Sequence, residues 1–187
     1  MIIMSSILEE SLKAAPIIKR GEYHYFIHPI TDGVPYLEPE LLNEVTDKII
    51  DVLEADFDKI LTIEAMGIHI GTALALRIGK PLSIIRKRSY DLPSEIEVGQ
   101  STGYSKGKLY LNGIIPGDRL VIVDDVVSTG GTLVAVKEAV ERAGAVIVDT
   151  IVVIERGDGA RRLREAGLPL KTLITIDVGP NGVIIEQ

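Results

Sequence analysis

The chain has 187 residues, of which 46% are hydrophobic and 25% charged, a balance that supports a packed core and excludes disordered and fibrous classes. Its formal net charge of -7 opposes a broad nucleic-acid surface, because phosphate affinity comes mostly from Lys and Arg. With no cysteine, disulfides, thiolate metal sites and cysteine nucleophiles are excluded.

No apolar run approaches the roughly 20 residues of a membrane span, and the first residues lack the basic start and apolar stretch of a signal peptide. The expectation is a single domain over residues 1–187, cytoplasmic and away from membranes. Residues 20–39 are rich in aromatics and His and are broken by Pro29, Gly33 and Pro35, which predicts a small cap over the sheet edge, contributed by about residues 1–37. Leu41, Val45, Ile49 and Leu53 recur every fourth residue after Pro39 and predict an amphipathic helix. Lys59–Ile63 reads as a strand. Residues 68–78 fit a helix stopped by Gly79-Lys80-Pro81, and residues 82–86 a second strand, which completes one βαβ unit.

Residues 89–107 are polar, without sustained period and rich in Ser and Gly, which predicts a mobile loop of the kind that serves as a lid. Residues 119–124 form a buried-strand pattern ending in two acids. Leu133, Val136, Val140 and Ala143 then mark one helical face up to Gly144, and residues 146–154 make the next strand. A short helix carrying Arg161, Arg162 and Arg164 follows, then strands over residues 172–177 and Gly182–Ile185 around a Pro180-Asn181-Gly182 turn. The alternation predicts an α/β fold with a central, mostly parallel sheet flanked by helices and a small N-terminal cap.

The sharpest motif is Val121-Ile122-Val123-Asp124-Asp125-Val126-Val127-Ser128-Thr129-Gly130-Gly131-Thr132. A strand delivers two acids to its carboxyl end, where ligands bind in open α/β sheets, and a Gly/Ser/Thr turn opens a helix. Backbone N–H groups at such a helix start, with the hydroxyls of Ser128, Thr129 and Thr132, make a cradle for a phosphate. The string lacks the Gly-Lys-Ser/Thr ending of a Walker loop and the spacing of a dinucleotide site. Two carboxylates beside the cradle can accept hydrogen bonds from vicinal sugar hydroxyls, which together describe a ribose 5-phosphate site.

This segment resembles the signature loop of the type I phosphoribosyltransferases at every position, and the likeness extends over most of the chain, toward the purine branch with its adenine and archaeal hypoxanthine/guanine enzymes. The resemblance implies that Asp124 and Asp125 hold the ribose hydroxyls and that Val126, Val127, Ser128, Thr129, Gly130, Gly131 and Thr132 hold the 5-phosphate. Glu64-Ala65-Met66-Gly67 falls where the family has its pyrophosphate loop, so Ala65, Met66 and Gly67 would meet pyrophosphate through their amides. Arg86-Lys87-Arg88 follows the second strand as in the adenine enzymes. Those enzymes usually carry an Arg where this chain has Met66, which leaves Arg86 and Lys87 to meet the departing charge.

Residues 92–106 resemble the family's catalytic loop, with Tyr104 as a catalytic candidate and Gly103 where the adenine enzymes usually carry a Glu. The resemblance further implies Mg²⁺ held mainly by the substrate, phosphoribosyl pyrophosphate and a purine base as partners, and a homodimer. His24, His28 and His69 show no metal-ligand spacing, so no protein metal site is expected. His28 lies where the purine enzymes place part of their base-binding cap.

A regulator that senses the same substrate and binds nucleic acid is disfavoured by the acidic balance and by the lack of an extra N-terminal DNA-binding segment. For the base, hypoxanthine and guanine are expected over adenine. A 6-oxo group needs a donor where adenine's amino group needs an acceptor, and Arg156 lies near where the 6-oxopurine enzymes of the superfamily place a basic residue. Packing or ion pairing remains an alternative role for both His28 and Arg156.

Overall fold

The computed structural model describes residues 6–99 and 108–186. Among the described residues, ten strands and six helices run in the order α1 (Ile7–Lys13), β1 (Ile17–Arg20), β2 (Tyr23–Phe26), α2 (Pro29–Asp32), α3 (Pro39–Val52), β3 (Lys59–Ile63), α4 (Gly67–Ile78), β4 (Leu82–Ile85), β5 (Ile96–Val98), β6 (Leu109–Leu111), β7 (Arg119–Val127), α5 (Gly131–Arg142), β8 (Val146–Arg156), α6 (Gly159–Glu165), β9 (Lys171–Gly179) and β10 (Gly182–Ile185). The main sheet has the order β10-β9-β8-β7-β3-β4. All neighbours are parallel except β10, which folds back on β9 as an antiparallel edge. The expected α/β architecture with a mostly parallel sheet is present.

Side-chain alternation along β7 sends Leu120 and Ile122 into one core and Val121 and Val123 into the other, as a strand covered on both faces requires. The first core packs the sheet against α5, α6 and the β5–β6 hairpin. The second packs it against α1, α3, α4 and the N-terminal segment through Leu8, Phe26, Ile30, Leu41, Val45, Ile49, Ile70 and Leu74.

Three boundaries differ from expectation. β7 runs on through Asp124 and Asp125 to Val127, and β8 through Glu155 and Arg156. These two strands pair with each other as far as Val127 and Glu155, so backbone hydrogen bonding outweighs the poor strand preference of the acids. Residues 89–107 are not all loop, because Ile96–Val98 pairs with Leu109–Leu111 and Val98, Leu109 and Leu111 are buried in the first core. Residues 89–95 form a turn drawn together by Glu95, whose carboxylate accepts from the Tyr90 N–H (3.0 Å), the Asn112 amide (2.7 Å) and the Ser89 hydroxyl. The centre of the expected lid, residues 100–107 with Tyr104, lies outside the described residues.

The cap is a β1–β2 hairpin followed by α2. His28 opens α2: its Nδ1 accepts from Ile30 N (3.2 Å), its Nε2 lies 2.9 Å from Ser11 Oγ, and the residue is fully buried. Burial holds its imidazole down to about 4. The folded state therefore keeps His28 neutral while the unfolded chain protonates near its ordinary value, and the resulting stability is present above about pH 6.5 and lost as pH falls toward 4. Wild type is expected to lose about 2–3 kcal/mol across this window relative to His28→Asn, which keeps a capping acceptor. Parallel denaturation curves for the two proteins at pH 7 and pH 4.5 would refute this.

Candidate active site

β3 connects through α4 to β4 on one side, while β7 lies on the other side of β3 and connects through α5, on the opposite face, to β8. The carboxyl ends of β3 and β7 thus diverge at a topological switch point, where open α/β sheets bind their ligands. The last β3–β7 pair is Thr62 with Val123, and Thr62 Oγ1 donates to the Val123 carbonyl at 2.9 Å. Beyond it, Asp124 to Val127 keep partners on β8 only. The crevice opens there.

Two contiguous cavities occupy it. One, of about 310 Å³, is lined by Ile63, Glu64, Ala65, Met66, Lys87, Leu109, Asp124, Asp125, Val126 and Thr132. The other, of about 190 Å³, is lined by Asp124 and residues 126–133. A separate cavity of about 380 Å³ lies at the start of β8 beside α5, with Lys137 and Glu141 as its charged groups, already paired with each other.

Asp124 and Asp125 are half-buried within β7 and not at its end. Both carboxyls are pushed up from the usual carboxylate range. Burial is the main cause for each, followed for Asp124 by the charge of Asp125, while Asp32 in the cap adds to the rise at Asp125. Asp124 Oδ1 accepts from Asp125 N (3.1 Å). Gly67, the first residue of α4, presses against this carboxylate: a Cβ there would lie 2.8 Å from Asp124 Oδ1 and 2.2 Å from Thr62 Oγ1.

Gly130 adopts a left-handed φ of 79° and caps α5 without a side-chain hydrogen bond. The first N–H groups of a helix have no intrahelical partner, so this 12-residue helix offers them, with the hydroxyls of Ser128, Thr129 and Thr132, to an anion in the smaller cavity. All seven residues expected to form the phosphate loop line that cavity.

On β3, the turn Glu64-Ala65-Met66 leads into α4, and the Glu64–Ala65 peptide is cis. Glu64 Oε2 accepts from Arg86 Nε (2.8 Å) and Lys87 N (2.9 Å), and these bonds hold the Glu64 carboxyl below its usual range. Of the two cations expected to meet pyrophosphate, Lys87 lines the crevice, whereas Arg86 is tied to Glu64 and does not.

The base-binding candidates are placed differently. His28 is buried in cap packing, with both ring nitrogens engaged. The Arg156 guanidinium stacks 4.1 Å over the Tyr23 ring, donates to the Tyr23 hydroxyl and donates to the His24 carbonyl (2.8 Å). It pairs with the cap hairpin and not with an acid. Sequence reasoning missed Tyr25 and Asp32: Tyr25 Oη donates to Asp32 Oδ1 (2.8 Å), and burial and Asp32 push its pKa up to about 12. The charges of Asp32 and Asp125 reach across from cap to sheet, a proximity that no local pattern encodes.

An acid pair, the open start of α5 and the Glu64–Met66 turn thus meet at one switch point. The family profile of the phosphoribosyl transferase domain matches residues 36–184. The chain belongs to this family. As a phosphoribosyltransferase it is 63% identical over 175 residues to a hypoxanthine/guanine phosphoribosyltransferase from Methanothrix thermoacetophila, covering 94% of this chain and 92% of that one. It is 56% identical over 180 residues to the enzyme of the same name from Methanosalsum zhilinae, covering 96% and 95%. Among solved structures it is similar to adenine phosphoribosyltransferase from Thermoanaerobacter pseudethanolicus, with 28% identity, a TM-score of 0.72, and coverage of 90% of this chain and 99% of that one.

Proposed function

We propose that this phosphoribosyltransferase acts in purine salvage, transferring the 5-phosphoribosyl group of 5-phosphoribosyl-1-pyrophosphate to hypoxanthine or guanine to give IMP or GMP and pyrophosphate. The observation that carries the reading is the meeting of the Asp124–Asp125 pair, the uncapped start of α5 and the Glu64–Gly67 turn along one crevice. The 5-phosphate sits on residues 126–132, the ribose hydroxyls on the two acids, and the pyrophosphate between the amides of Ala65, Met66 and Gly67 and the Lys87 ammonium. The bond from the anomeric carbon to pyrophosphate breaks as a purine ring nitrogen bonds to that carbon and loses its proton. The transition state has oxocarbenium character, and the acids favour its positive charge across a partly desolvated site.

Magnesium, when bound, would be held by Asp124, Asp125 and Thr132 together with the substrate and would supply countercharge to the pyrophosphate. The crevice fits an oxygen-preferring cation that arrives on its substrate: it offers the carboxylates of Asp124 and Asp125 and the Thr132 hydroxyl, while no group of three or more His, Asp or Glu is set to hold a metal among the described residues. Residues 1–37 serve as a base-binding cap on a single domain. The enzyme works as a cytoplasmic homodimer without nucleic acid. No helix among the described residues is long and apolar enough to cross a membrane.

Identity of 63% to a hypoxanthine/guanine enzyme weighs more for base preference than 28% to an adenine enzyme, because preference rests on a few side chains while the fold tolerates wide divergence. Since Arg156 spends donors on Tyr23 and His24, its contribution to base selection is to hold the cap in place; His28 acts likewise from inside it. On the strength of that 63% identity, kcat/KM for hypoxanthine and guanine is expected to exceed that for adenine by about tenfold or more. A turnover panel of adenine, hypoxanthine, guanine, xanthine and orotate tests this. Equal or better use of adenine overturns the base assignment.

A further inference from the structure

The cradle has an electrostatic deficit. Its lining, Asp124 and residues 126–133, contains no Lys, Arg or His and does contain an acid, although a phosphate ester carries up to two negative charges. Backbone N–H groups can meet that charge only if their peptide planes are turned toward it. What turns them lies on the far side of the loop, in α6.

α6 touches the loop at successive peptides. Gly159 N donates to the Ser128 carbonyl at 3.0 Å, and Arg162 Nη2 donates to the Thr129 carbonyl at 3.3 Å. The approach is as close as backbone permits: a Cβ on Gly159 would lie 2.1 Å from Ser128 O, 2.6 Å from Thr129 C and 2.8 Å from Gly130 N. Gly130 in turn faces Leu163, where a Cβ would meet Cδ1 at 2.9 Å, and Leu163 is buried in the first core. In a trans peptide the C=O and the following N–H point in opposite directions. Holding the Ser128 and Thr129 carbonyls toward α6 therefore turns the N–H groups of Thr129 and Gly130 away from it, and no α6 residue lines the cavity.

We infer that α6 is the buttress of the phosphate cradle and that Arg162 is a positioning residue for the 5-phosphate end of the substrate, acting through the Thr129 carbonyl. Arg162 is itself braced by Asp158, whose Oδ2 accepts from its Nη1 at 2.5 Å. Its guanidinium is half-exposed, so its removal leaves the core untouched. The inference rests on the reading that residues 126–132 hold the 5-phosphate, and it extends that site by a segment outside the motif.

The test measures ribose 5-phosphate and pyrophosphate binding by calorimetry, and steady-state constants, for wild type, Arg162→Ala, Arg162→Lys and Gly159→Ala. Arg162→Ala is expected to weaken ribose 5-phosphate and raise KM for 5-phosphoribosyl-1-pyrophosphate about tenfold, the scale of one charged hydrogen bond. Pyrophosphate affinity, KM for the base and the melting temperature stay within about twofold or a degree or two. Arg162→Lys recovers most of the loss, and Gly159→Ala, which drives a Cβ into the Ser128 carbonyl, loses ribose 5-phosphate binding outright. Unchanged ribose 5-phosphate affinity in Arg162→Ala, with wild type binding normally, overturns the buttress. A wild-type protein that turns over substrate yet binds no ribose 5-phosphate overturns the cradle assignment beneath it. Because Arg162 is at the surface, its variants decide the matter even if Gly159→Ala does not fold.

Discussion

Asp124→Asn combined with Asp125→Asn is expected to abolish turnover and to make the protein more stable. In the free enzyme both carboxyls are pushed up mainly by burial, Asp124 further by the charge of Asp125 and Asp125 by that of Asp32. A group whose folded pKa exceeds its unfolded value binds more protons in the folded state between the two, so stability is full below about pH 4 and falls as pH rises through the folded pKa. At neutral pH the charged pair is thus a net cost to the empty protein. Asn preserves the shape and keeps an acceptor for the Asp125 backbone N–H that now bonds Asp124 Oδ1. Relief of about 1–2 kcal/mol raises Tm by roughly 2–8 °C for a chain of this size, while the loss of both carboxylates removes the ribose acceptors and the charge opposite the oxocarbenium centre. Thermal melts at pH 7.5 and pH 4.5 beside a turnover assay check this. The gain in Tm shrinks at the lower pH, and a folded double variant with wild-type turnover would remove the pair from the mechanism. Function here is held against stability, a common trade at sites that await a ligand.

Gly67→Ala is expected to lower kcat/KM by about a hundredfold and stability by about 1–3 kcal/mol. The added Cβ would sit 2.2 Å from Thr62 Oγ1, 2.8 Å from Asp124 Oδ1 and 3.2 Å from the Val123 carbonyl. Thr62 is fully buried and its hydroxyl is committed to the Val123 carbonyl, so it cannot swing aside without losing that bond. The start of α4 must move, and it carries both the Glu64–Met66 turn and the contact with Asp124. Thr62→Ala in the Gly67→Ala background removes the worst contact and is expected to restore part of the stability but less of the activity, since the contact with Asp124 remains. Equilibrium denaturation and steady-state kinetics on the single and double variants separate the two effects. A Gly67→Ala protein with unaltered kinetics would mean that the α4 start does not set the acid.

Residues 126–132 lie at the start of α5 and line the smaller cavity, as their order announces, because the N–H groups a helix start leaves without partners belong to the local backbone. The same holds for α3, β3 and α4, whose apolar spacing and Pro or Gly stops match Pro39–Val52, Lys59–Ile63 and Gly67–Ile78. β7 and β8 run past the expected ends at Asp124 and Ile154 for one reason: an acid breaks a buried pattern, yet the two strands offer each other hydrogen-bond partners as far as Val127 and Glu155. Likewise Ile96–Val98 lies within a polar stretch and becomes a strand only because Leu109–Leu111 is beside it.

The amino-acid sequence by itself therefore determined the α/β alternation, the ribose-phosphate string and the family to which the chain belongs, since each is written in residues adjacent or nearly so. Only the tertiary structure decided where single side chains spend their hydrogen bonds. Arg156 reaches Tyr23 and His24, more than 130 residues away, Arg86 is captured by Glu64 across two strands, and His28 turns inward to Ser11. A guanidinium or imidazole carries the same chemistry in any sequence, and which acceptor it meets is set by the topology that brings distant strands and the cap to one edge of the sheet. Arg162, read from sequence as one of three arginines on a short helix, acquires its place beside Thr129 in the same way.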